Sequence, residues 1–550
     1  MRRFWIGAIL LWPLLVSTSI LQAQQWPYKV FDNLVQAYGR IHPSAPTLVI
    51  TPIAGVVAEA KDDGRIFIGE DFVELCTTLG KDSANAMAMV LAHELAHHYH
   101  HHFWAATYGS AFADSDWGKK IDSLGNAVAF RSYYESQADD FGLFFSYLAG
   151  YETFTIAEKV YNAIYSHFQL PDELPGYPSK EERIAIAEMA SARVKELIPI
   201  FETGKYLYIL SISESGAYQQ QLLHKAEQCY TTLLDRNLAS REIFNALGVI
   251  YLQSGLSYLD PKQHPFHYPI ILDEESRLYG EGAIASAEST SGFGTNEAMA
   301  KTMLDKALYY LDEATDLDQH YGIAYLNRAI AYLLLQRPVD AQYYIGKAEE
   351  VALAKENDRL LAFCWEVKGM LNAADKTDAL ASFGKAKELG SPTANANADR
   401  LQGKVAPSSM PSFGGFGQQQ METADGKELP SLYDEIRYQL SARDRFTVGP
   451  NSYIFQQPYK QGQVFIAECN ERDCPYDNLV FYETPLQPQQ QSAKGITGGD
   501  QVEKVLDKYG NPSQIISTGT YEYYQYKDQK ILFQIGSDNR VHRWILYYFI

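Results

Sequence analysis

Cysteine is scarce in this sequence, with 5 residues in a chain of 550. A disulfide-dense secreted scaffold carries a far higher share, so that class is excluded. Beyond Val16 no apolar run approaches the length of about 20 residues that spans a bilayer. Basic residues are also in deficit, since 47 Lys and Arg face 67 Asp and Glu, for a net charge of −20. Such a surface repels phosphate backbones, so we expect no nucleic-acid partner. Because no long apolar run follows Val16, we also expect no transmembrane segment.

The amino terminus has the pattern of a secretory signal peptide. Arg2 and Arg3 precede an apolar run from Phe4 to Val16, and Ala23 fits the last residue before cleavage. A membrane anchor is the alternative, but the run is too short to span a bilayer. The sequence therefore predicts a signal peptide over residues 1–23 and an exported protein. We expect a periplasmic location first and a secreted one second, with peripheral membrane association left open.

The few cysteines fall into two groups. Cys469 and Cys474 lie close together in Tyr- and Phe-rich sequence, where an oxidising compartment would allow a hairpin disulfide. Two free thiols are the alternative. The other three lie in apolar helical patterns and are predicted to be packed thiols: Cys76, Cys229 and Cys364.

The residues that indicate chemistry lie between Ala84 and His98, a segment rich in Ala and Leu that predicts an α-helix. It contains His93-Glu94-x-x-His97, with the two His one helical turn apart. Both imidazoles therefore leave the same face of the helix and can hold one zinc ion. Glu94 lies beside them, where its carboxylate can take a proton from water. A polar helix face is the alternative.

A third ligand is predicted at Glu135, thirty-eight residues after His97, in a helix-like segment from Phe130 to Gly150. A Glu there completes a His₂Glu set and leaves the fourth coordination position for water. Asp139 lies one turn beyond Glu135 and would accept a hydrogen bond from the second ring nitrogen of a ligand His. We therefore predict one Zn²⁺ per chain, held by His93, His97 and Glu135, with Asp139 in support.

Four more His residues follow the motif: His98, His100, His101 and His102. By helical angle, His100 and His101 are predicted to lie near the ligand face, and His98 and His102 well round the helix. These side chains could bind additional metal. A structural or solvated role is the simpler prediction.

From residue 24 to about 200 the sequence resembles the gluzincin peptidases that include HtpX and the CAAX prenyl protease. The resemblance rests on five matching positions: His93, Glu94, His97, Glu135 and Asp139. His102 also matches a His that the family often places five residues after the second ligand. The segment Gly64-Arg-Ile-Phe-Ile-Gly69 resembles the family's short strand before the metal helix. The resemblance implies that this strand borders the cleft and that its edge can pair with an extended substrate.

The sequence departs from that family at one position. The family commonly has a His-Pro segment and then Arg after the third ligand, and the His is taken to stabilise the oxyanion. Here the segment is Tyr177-Pro178-Ser179, followed by Arg183, so Tyr replaces the His. The resemblance implies catalytic roles for Arg183 and for Tyr177, whose phenol can donate a hydrogen bond to an oxyanion. The alternative is that Tyr177 is only a packing residue.

Paired amphipathic helices of tetratricopeptide type are predicted over residues 205–403. In this pattern small residues let helices cross closely while aromatic residues fill the gaps, so stacked pairs bury one core. The clearest matches are Phe244, Gly248, Tyr251, Ala307, Leu311, Ala314, Tyr325, Ala329, Tyr332, Trp365, Gly369 and Phe383. An ordinary helical bundle is the alternative. Residues 256–298 interrupt the array with Pro, His, Gly and Ser, which indicates an inserted lid or binding loop.

The rest of the chain is predicted to form a flexible linker over 404–430 and a Tyr-rich α+β domain over 431–550. In that domain the pattern predicts a short helix over Val502–Tyr509 and strands around Tyr521–Tyr526, Ile531–Ile535 and Val541–Tyr548. The predicted fold class is thus mostly α. It comprises a gluzincin-type zinc peptidase domain (24–204) with a short β element, an α-solenoid and a small α+β domain.

A signal peptide, a His₂Glu site and repeats together resemble the BepA-like periplasmic metallopeptidases that serve outer-membrane protein assembly. The resemblance implies an exported zinc metalloendopeptidase that hydrolyses misfolded or misassembled envelope proteins. It also implies protein substrates and envelope assembly partners that bind through the repeats. The alternative is a non-proteolytic or autoinhibited scaffold or chaperone whose zinc site is capped. The sequence leaves the oligomeric state open.

Overall fold

The computed structural model describes residues 12–39, 45–102, 128–173, 178–272, 285–287, 296–404, 422–424, 426–439, 446–449, 452–469, 478–485, 488–518, 521–536 and 538–549. Within these residues the chain is mostly helical, with sixteen α-helices, and most strands lie in a sheet near the C-terminus. Tyr177, Cys474 and the side chain of Cys469 lie outside the described set. None of the helices in the described ranges is long and apolar enough to cross a bilayer. The chain divides into two compact units between Lys195 and Glu196.

The first unit combines a small sheet with five helices and the start of a sixth. Its elements are α1 (Trp12–Tyr38), β1 (Thr47–Thr51), β2 (Ala58–Ala60), β3 (Arg65–Gly69), α2 (Glu70–Thr78), α3 (Ser83–Tyr99), α4 (Val128–Leu148), α5 (Ala157–His167) and α6 (Lys180–Ile212), which runs on past the boundary. Helix α1 continues through Ala23, where the predicted signal peptide ends. The strand order is β1-β3-β2, with β1 parallel and β2 antiparallel to β3.

Helix α3 lies at the centre of the first unit and matches the helix predicted over 84–98. It packs against α1, α2, α4 and the strand β2. Its fully buried positions are small or apolar: Ala86, Met87, Ala88, Leu91, Ala92, Leu95 and Ala96. Small side chains let neighbouring helices approach closely, so the helix that carries the His residues is held rigidly on several sides.

The prediction that the strand at Gly64–Gly69 offers a free edge is wrong. That strand is β3, and it is the central strand of its sheet, with β1 on one side and β2 on the other. Among the strands of the described residues, the one with an unpaired edge next to the metal helix is β2. The sequence did not indicate β2 because three residues are too few for an alternating pattern to be recognised.

The second unit starts with a series of paired helices. These are α7 (Gly216–Asp235), α8 (Arg241–Leu256), α9 (Glu297–Leu317), α10 (Gly322–Leu334), α11 (Pro338–Ala354), α12 (Asp358–Leu371), α13 (Lys376–Glu388) and α14 (Ala394–Leu401). Helix α8 packs on α9, α10 on α11 and α12 on α13. A Cβ at Gly248 would lie 2.5 Å from Leu311, and one at Gly369 would lie 2.7 Å from Phe383. Glycine at these two positions therefore allows the helices of a pair to touch.

The region after α14 contains an eight-stranded antiparallel sheet, in the order β10-β11-β12-β13-β9-β8-β7-β6. The strands are β6 (Phe446–Gly449), β7 (Ser452–Tyr459), β8 (Gly462–Cys469), β9 (Asn478–Glu483), β10 (Gln514–Thr518), β11 (Tyr521–Tyr526), β12 (Ile531–Ile535) and β13 (Val541–Phe549). Helices α15 (Leu429–Arg437) and α16 (Val502–Tyr509) contribute side chains to its core. The helix and three strands predicted here are present. Five further strands, β6 to β10, were missed.

Two segments predicted to be irregular are partly described. Of the predicted linker, 405–421 lie outside the described residues, whereas Glu422 and Ala424 are buried and Ala424 belongs to the core of the C-terminal sheet. The predicted insertion lies between α8 and α9, and it contains two short paired strands, β4 (Tyr268–Ile270) and β5 (Ala285–Ala287). The three cysteines predicted as packed thiols are buried and free.

Candidate metal centre

Helix α3 presents His93 and His97 on one face, one turn apart. Their Nε2 atoms are 3.1 Å from each other, and the side chains are only 13% and 12% exposed. Such proximity of two ring nitrogens follows from local geometry, because residues four apart on a helix are neighbours. Burial then limits the rotamers that each ring can adopt.

Glu135 reaches the two imidazoles from α4, which crosses α3 at close range. A Cβ at Gly142 would lie 3.0 Å from the backbone nitrogen of His93, so only glycine fits at this crossing without displacement. The Glu135 carboxylate oxygens lie 3.3 Å from His93 Nε2 and 3.5 Å from His97 Nε2. The sequence did not point to Gly142, whose only signal is a glycine inside an otherwise apolar helical run.

The three side chains have the dimensions of a metal site. Ligands about 2.0–2.2 Å from a tetrahedral zinc ion are separated from each other by about 3.3–3.5 Å. The observed separations among His93, His97 and Glu135 are 3.1, 3.3 and 3.5 Å. In the described part of the chain these are the residues whose ligand atoms cluster closely enough to hold a metal ion. Two imidazoles and a carboxylate suit zinc among the divalent metals.

A layer of buried polar groups lies behind the ligands. Asp139, predicted to support a His, lies 2.7 Å from His93 Nδ1, which donates to its Oδ1. Arg183 lies 2.8 Å from Glu135 and 3.3 Å from Asp139, so it links the two carboxylates. Tyr161 donates to Asp139 at 3.2 Å and also contacts Arg183. Asp139 thereby fixes the ring of His93 with Nε2 turned toward Glu135.

The resemblance implies a catalytic role for Arg183. The structure shows its guanidinium buried against Glu135, Asp139 and the ring of Tyr161. It thus contacts both the third ligand, Glu135, and the carboxylate of Asp139 that supports His93. The sequence did not point to Tyr161, because a lone Tyr in an amphipathic helix carries no distinguishing pattern. Tyr177 lies outside the described residues.

The support of His97 comes from His102. Helix α3 ends at Tyr99, and His101 takes a left-handed conformation with φ 52°. The N–H of His102 then bonds the carbonyl of His97 at 3.1 Å, and the N–H of His101 bonds that of His98 at 3.2 Å. This is a Schellman motif, which turns the chain back over the last helical turn. The placement of His102 well round the helix was wrong because the helix ends first.

The folded-back ring of His102 contacts the second nitrogen of His97. The two Nδ1 atoms are 2.8 Å apart, and His102 Nε2 lies 3.2 Å from Gln137 Oε1. Burial, together with His100, lowers the pKa of His102 to about 4, so the ring is neutral at pH 7. A neutral His102 that donates to Gln137 must accept at Nδ1. His97 therefore donates from Nδ1 and keeps the lone pair of Nε2 for a metal.

Replacing His102 with Ala should weaken metal binding by about tenfold, because His97 loses the acceptor that fixes its tautomer. The dissociation constant for Zn²⁺ is measured by competition with a chromophoric chelator. His101→Gly is the matched control, since His101 is exposed and glycine favours its left-handed backbone. That variant should retain the affinity of the parent protein. Equal affinities for His102→Ala and the parent would contradict the role given to His102.

Glu94 lies on the same helix face but accepts a hydrogen bond from outside the helix. Its Oε2 accepts from the N–H of Ala60 at 2.7 Å. Ala60 is on β2, where the neighbouring residues Lys61 and Val57 bond to β3. Alternate residues of a strand direct their N–H and C=O to opposite sides, so Ala58 and Ala60 face the free edge. The carboxylate of Glu94 is thus anchored at the edge of a sheet.

The charges of the metal-free site follow from burial and from neighbouring groups. Burial lowers the pKa of His93, but the Asp139 and Glu135 carboxylates outweigh it and raise that pKa to about 10. A metal ion must therefore displace a proton from His93. Burial and the charge of His93 hold the pKa of His97 well below its usual range. Burial raises the pKa of Glu94 above that of an ordinary Glu.

The pKa of the third ligand, Glu135, is shifted in the opposite direction from that of Glu94. Burial alone would raise the pKa of Glu135, but the hydrogen bond and charge of His93 and the charge of Arg183 lower it far below the usual range. Glu135 is therefore ionised, as a metal ligand must be.

Comparison with known proteins adds no assignment, because no family model and no curated protein matches this chain.

Proposed function

We propose that this chain is a zinc metalloendopeptidase whose active site is the metal centre of α3 and α4. One arrangement carries the proposal: one ligand atom each of His93, His97 and Glu135 lies within 4.8 Å of the others. The buried carboxylate of Glu94 is close enough to interact with the charges of His93 and Glu135. Three protein ligands leave one coordination position for water or substrate, which is the pattern of catalytic zinc sites. A structural zinc site has four protein ligands instead.

A bound zinc ion would polarise the scissile carbonyl and make water a stronger nucleophile at neutral pH. Glu94 would accept a proton from that water and pass one to the leaving amine, as a general base and then a general acid. Its raised pKa, caused by burial, suits both steps. Asp139 and His102 hold the two imidazoles in one tautomer each, and Arg183 holds Glu135.

An extended polypeptide fits this site as a substrate. Among the described residues, the edge of β2 away from β3 lies next to α3. The Ala60 N–H is held by Glu94, so the backbone of Ala58 and the carbonyl of Ala60 are the groups that can pair with a substrate strand. Such pairing recognises the backbone of the substrate, so it does not define which substrate side chains are preferred. The proposed substrates are therefore unfolded or misassembled proteins, which offer extended segments.

The helices of the second unit support the proposal of a tetratricopeptide-like solenoid. In two pairs a glycine of the first helix faces a bulky residue of the second: Gly248 with Leu311, and Gly369 with Phe383. Repeats of this kind form extended binding surfaces. We propose that they bind protein clients or assembly partners of an exported, periplasmic protein, as in the BepA-like metallopeptidases that the sequence resembles.

The proposal is tested by digestion of casein with the full chain, with and without a metal chelator. We expect cleavage that stops after chelation and returns when Zn²⁺ is added back. The metal content of the protein is measured by elemental analysis in the same samples. Stoichiometric zinc without cleavage of casein or of an unfolded envelope protein would favour the non-proteolytic scaffold with a capped site. Absence of bound metal after loading would contradict both.

A further inference from the structure

The paired helices enclose a segment of their own chain. Residues 265–272 belong to the inserted region between α8 and α9, and they include the strand β4. This segment packs against α10 and α12. Its apolar side chains are almost fully buried: Phe266, Tyr268, Ile270, Ile271 and Leu272. We call residues 265–272 the inserted strand.

At one position the inserted strand is held through its backbone by two asparagines. The N–H of Ile271 donates to Asn327 Oδ1 at 2.9 Å, and the Ile271 carbonyl accepts from Asn327 Nδ2 at 2.8 Å. The same carbonyl accepts from Asn245 Nδ2 at 3.0 Å. Asn327 also donates to Asn245 Oδ1 at 2.9 Å. Both asparagines are fully buried, so a backbone partner satisfies amides that would otherwise be costly.

A second position is held in the same way. The N–H of His267 donates to Asn397 Oδ1 at 2.8 Å, and the His267 carbonyl accepts from Asn397 Nδ2 at 3.0 Å. Arg400 donates to the carbonyl of Pro265 at 2.6 Å. Buried Glu366 in turn accepts from Asn397 Nδ2 at 2.5 Å, which fixes the orientation of the amide. The asparagine side chains that bind the strand are therefore oriented by hydrogen bonds to other buried residues.

These contacts have the chemistry of a peptide-binding groove. A side-chain amide that both donates to and accepts from one residue imitates a neighbouring β-strand, and it does not depend on which side chain that residue carries. His267 and Ile271 are four residues apart, so their N–H and C=O groups point to the same side of an extended chain. The asparagines come from α8, α10 and α14, so three helices that are separate in sequence contribute the recognition amides.

We propose that this groove binds an extended apolar segment of a partner polypeptide and that the inserted strand occupies it as an intramolecular ligand. A partner must then displace residues 265–272, which keeps the groove closed to weak binders. The burial of Phe266, Tyr268 and Ile270 in this groove favours uncharged, strand-forming sequence, as in an unassembled β-rich protein. This inference concerns binding by the second unit and does not depend on hydrolysis at the metal centre.

The test uses a fluorescently labelled peptide with the sequence of residues 264–272 and the full chain. Tyr268→Ser together with Ile270→Ser weakens the hold on the protein's own strand and leaves the groove asparagines intact. We expect this variant to bind the peptide at least tenfold more tightly than the parent, measured by fluorescence anisotropy. Adding Asn327→Leu should abolish the gain. Methylation of the peptide nitrogen that corresponds to Ile271 should also weaken binding at least tenfold.

A second measurement uses the parent protein, so that it stands even if the variants fold poorly. Hydrogen exchange at the amides of His267 and Ile271 should accelerate when excess peptide is present, because the protein's own strand is displaced. Unchanged exchange at saturating peptide, or a double-Ser variant that folds but gains no affinity, would overturn the proposal. Dimers formed by exchange of the inserted strand between two copies, seen by sedimentation, would overturn it as well.

Discussion

Replacing Glu94 with Gln should remove peptide hydrolysis and leave the metal in place. The amide has the size of the carboxylate and can still accept from Ala60, but it cannot take a proton from water. Loss of a general base lowers the rate by about 10²–10⁴-fold. Cleavage of casein and zinc content are measured on the same preparation. Retained zinc with a loss of this size is the expected result.

The neighbouring acidic residue of β2 provides the control. Glu59 is exposed and forms an ion pair with Lys61, the residue that follows the strand. Glu59→Gln removes one negative charge near the site without touching a ligand, so the rate should stay close to that of the parent. If Glu94→Gln cleaved casein at the parental rate, the assignment of Glu94 as the base would be wrong. Equal losses in both variants would indicate a general charge effect.

Replacing Asp139 with Asn should weaken metal binding by about 10–100-fold. The Asp139 carboxylate accepts from His93 Nδ1 at 2.7 Å and also contacts Arg183 and Tyr161. An amide accepts the same hydrogen bond more weakly, and its NH₂ group can turn toward His93. The ring would then lose both its orientation and part of its basicity. Competition with a chromophoric chelator gives the Zn²⁺ dissociation constants of parent and variant.

Asp140 offers the matched control on the next residue of the same helix. Its carboxylate pairs with Arg193 at 2.8 Å and not with a ligand His. Asp140→Asn therefore makes the same chemical change one position along and should keep the affinity of the parent. If both variants bound Zn²⁺ equally well, Asp139 would have no part in orienting His93. Thermal unfolding of both proteins shows whether either change destabilises the fold.

Much of the candidate site was predictable because its geometry is local. The spacing of His93 and His97 fixes both rings on one face of any α-helix, and the Ala- and Leu-rich sequence around them determines the helix. The same holds for Glu135 and Asp139 on α4. The C-terminal strands β11 to β13 were also predictable, since alternating aromatic and aliphatic residues separated by turns define them.

Other parts of the protein depend on contacts between distant segments, and only the tertiary structure decided them. Glu135 reaches the His residues because α4 crosses α3 at Gly142, and no local pattern sets that crossing. His102 supports His97 because one left-handed residue reverses the chain. The inserted strand contacts helices that precede it and helices that follow it in sequence, and they hold it through backbone groups that every residue carries. The sequence by itself thus determined which side chains share a helix face, because helical periodicity is set by neighbours in the chain. Which faces meet was decided by packing, because that depends on the shapes of surfaces brought together from far apart in the sequence.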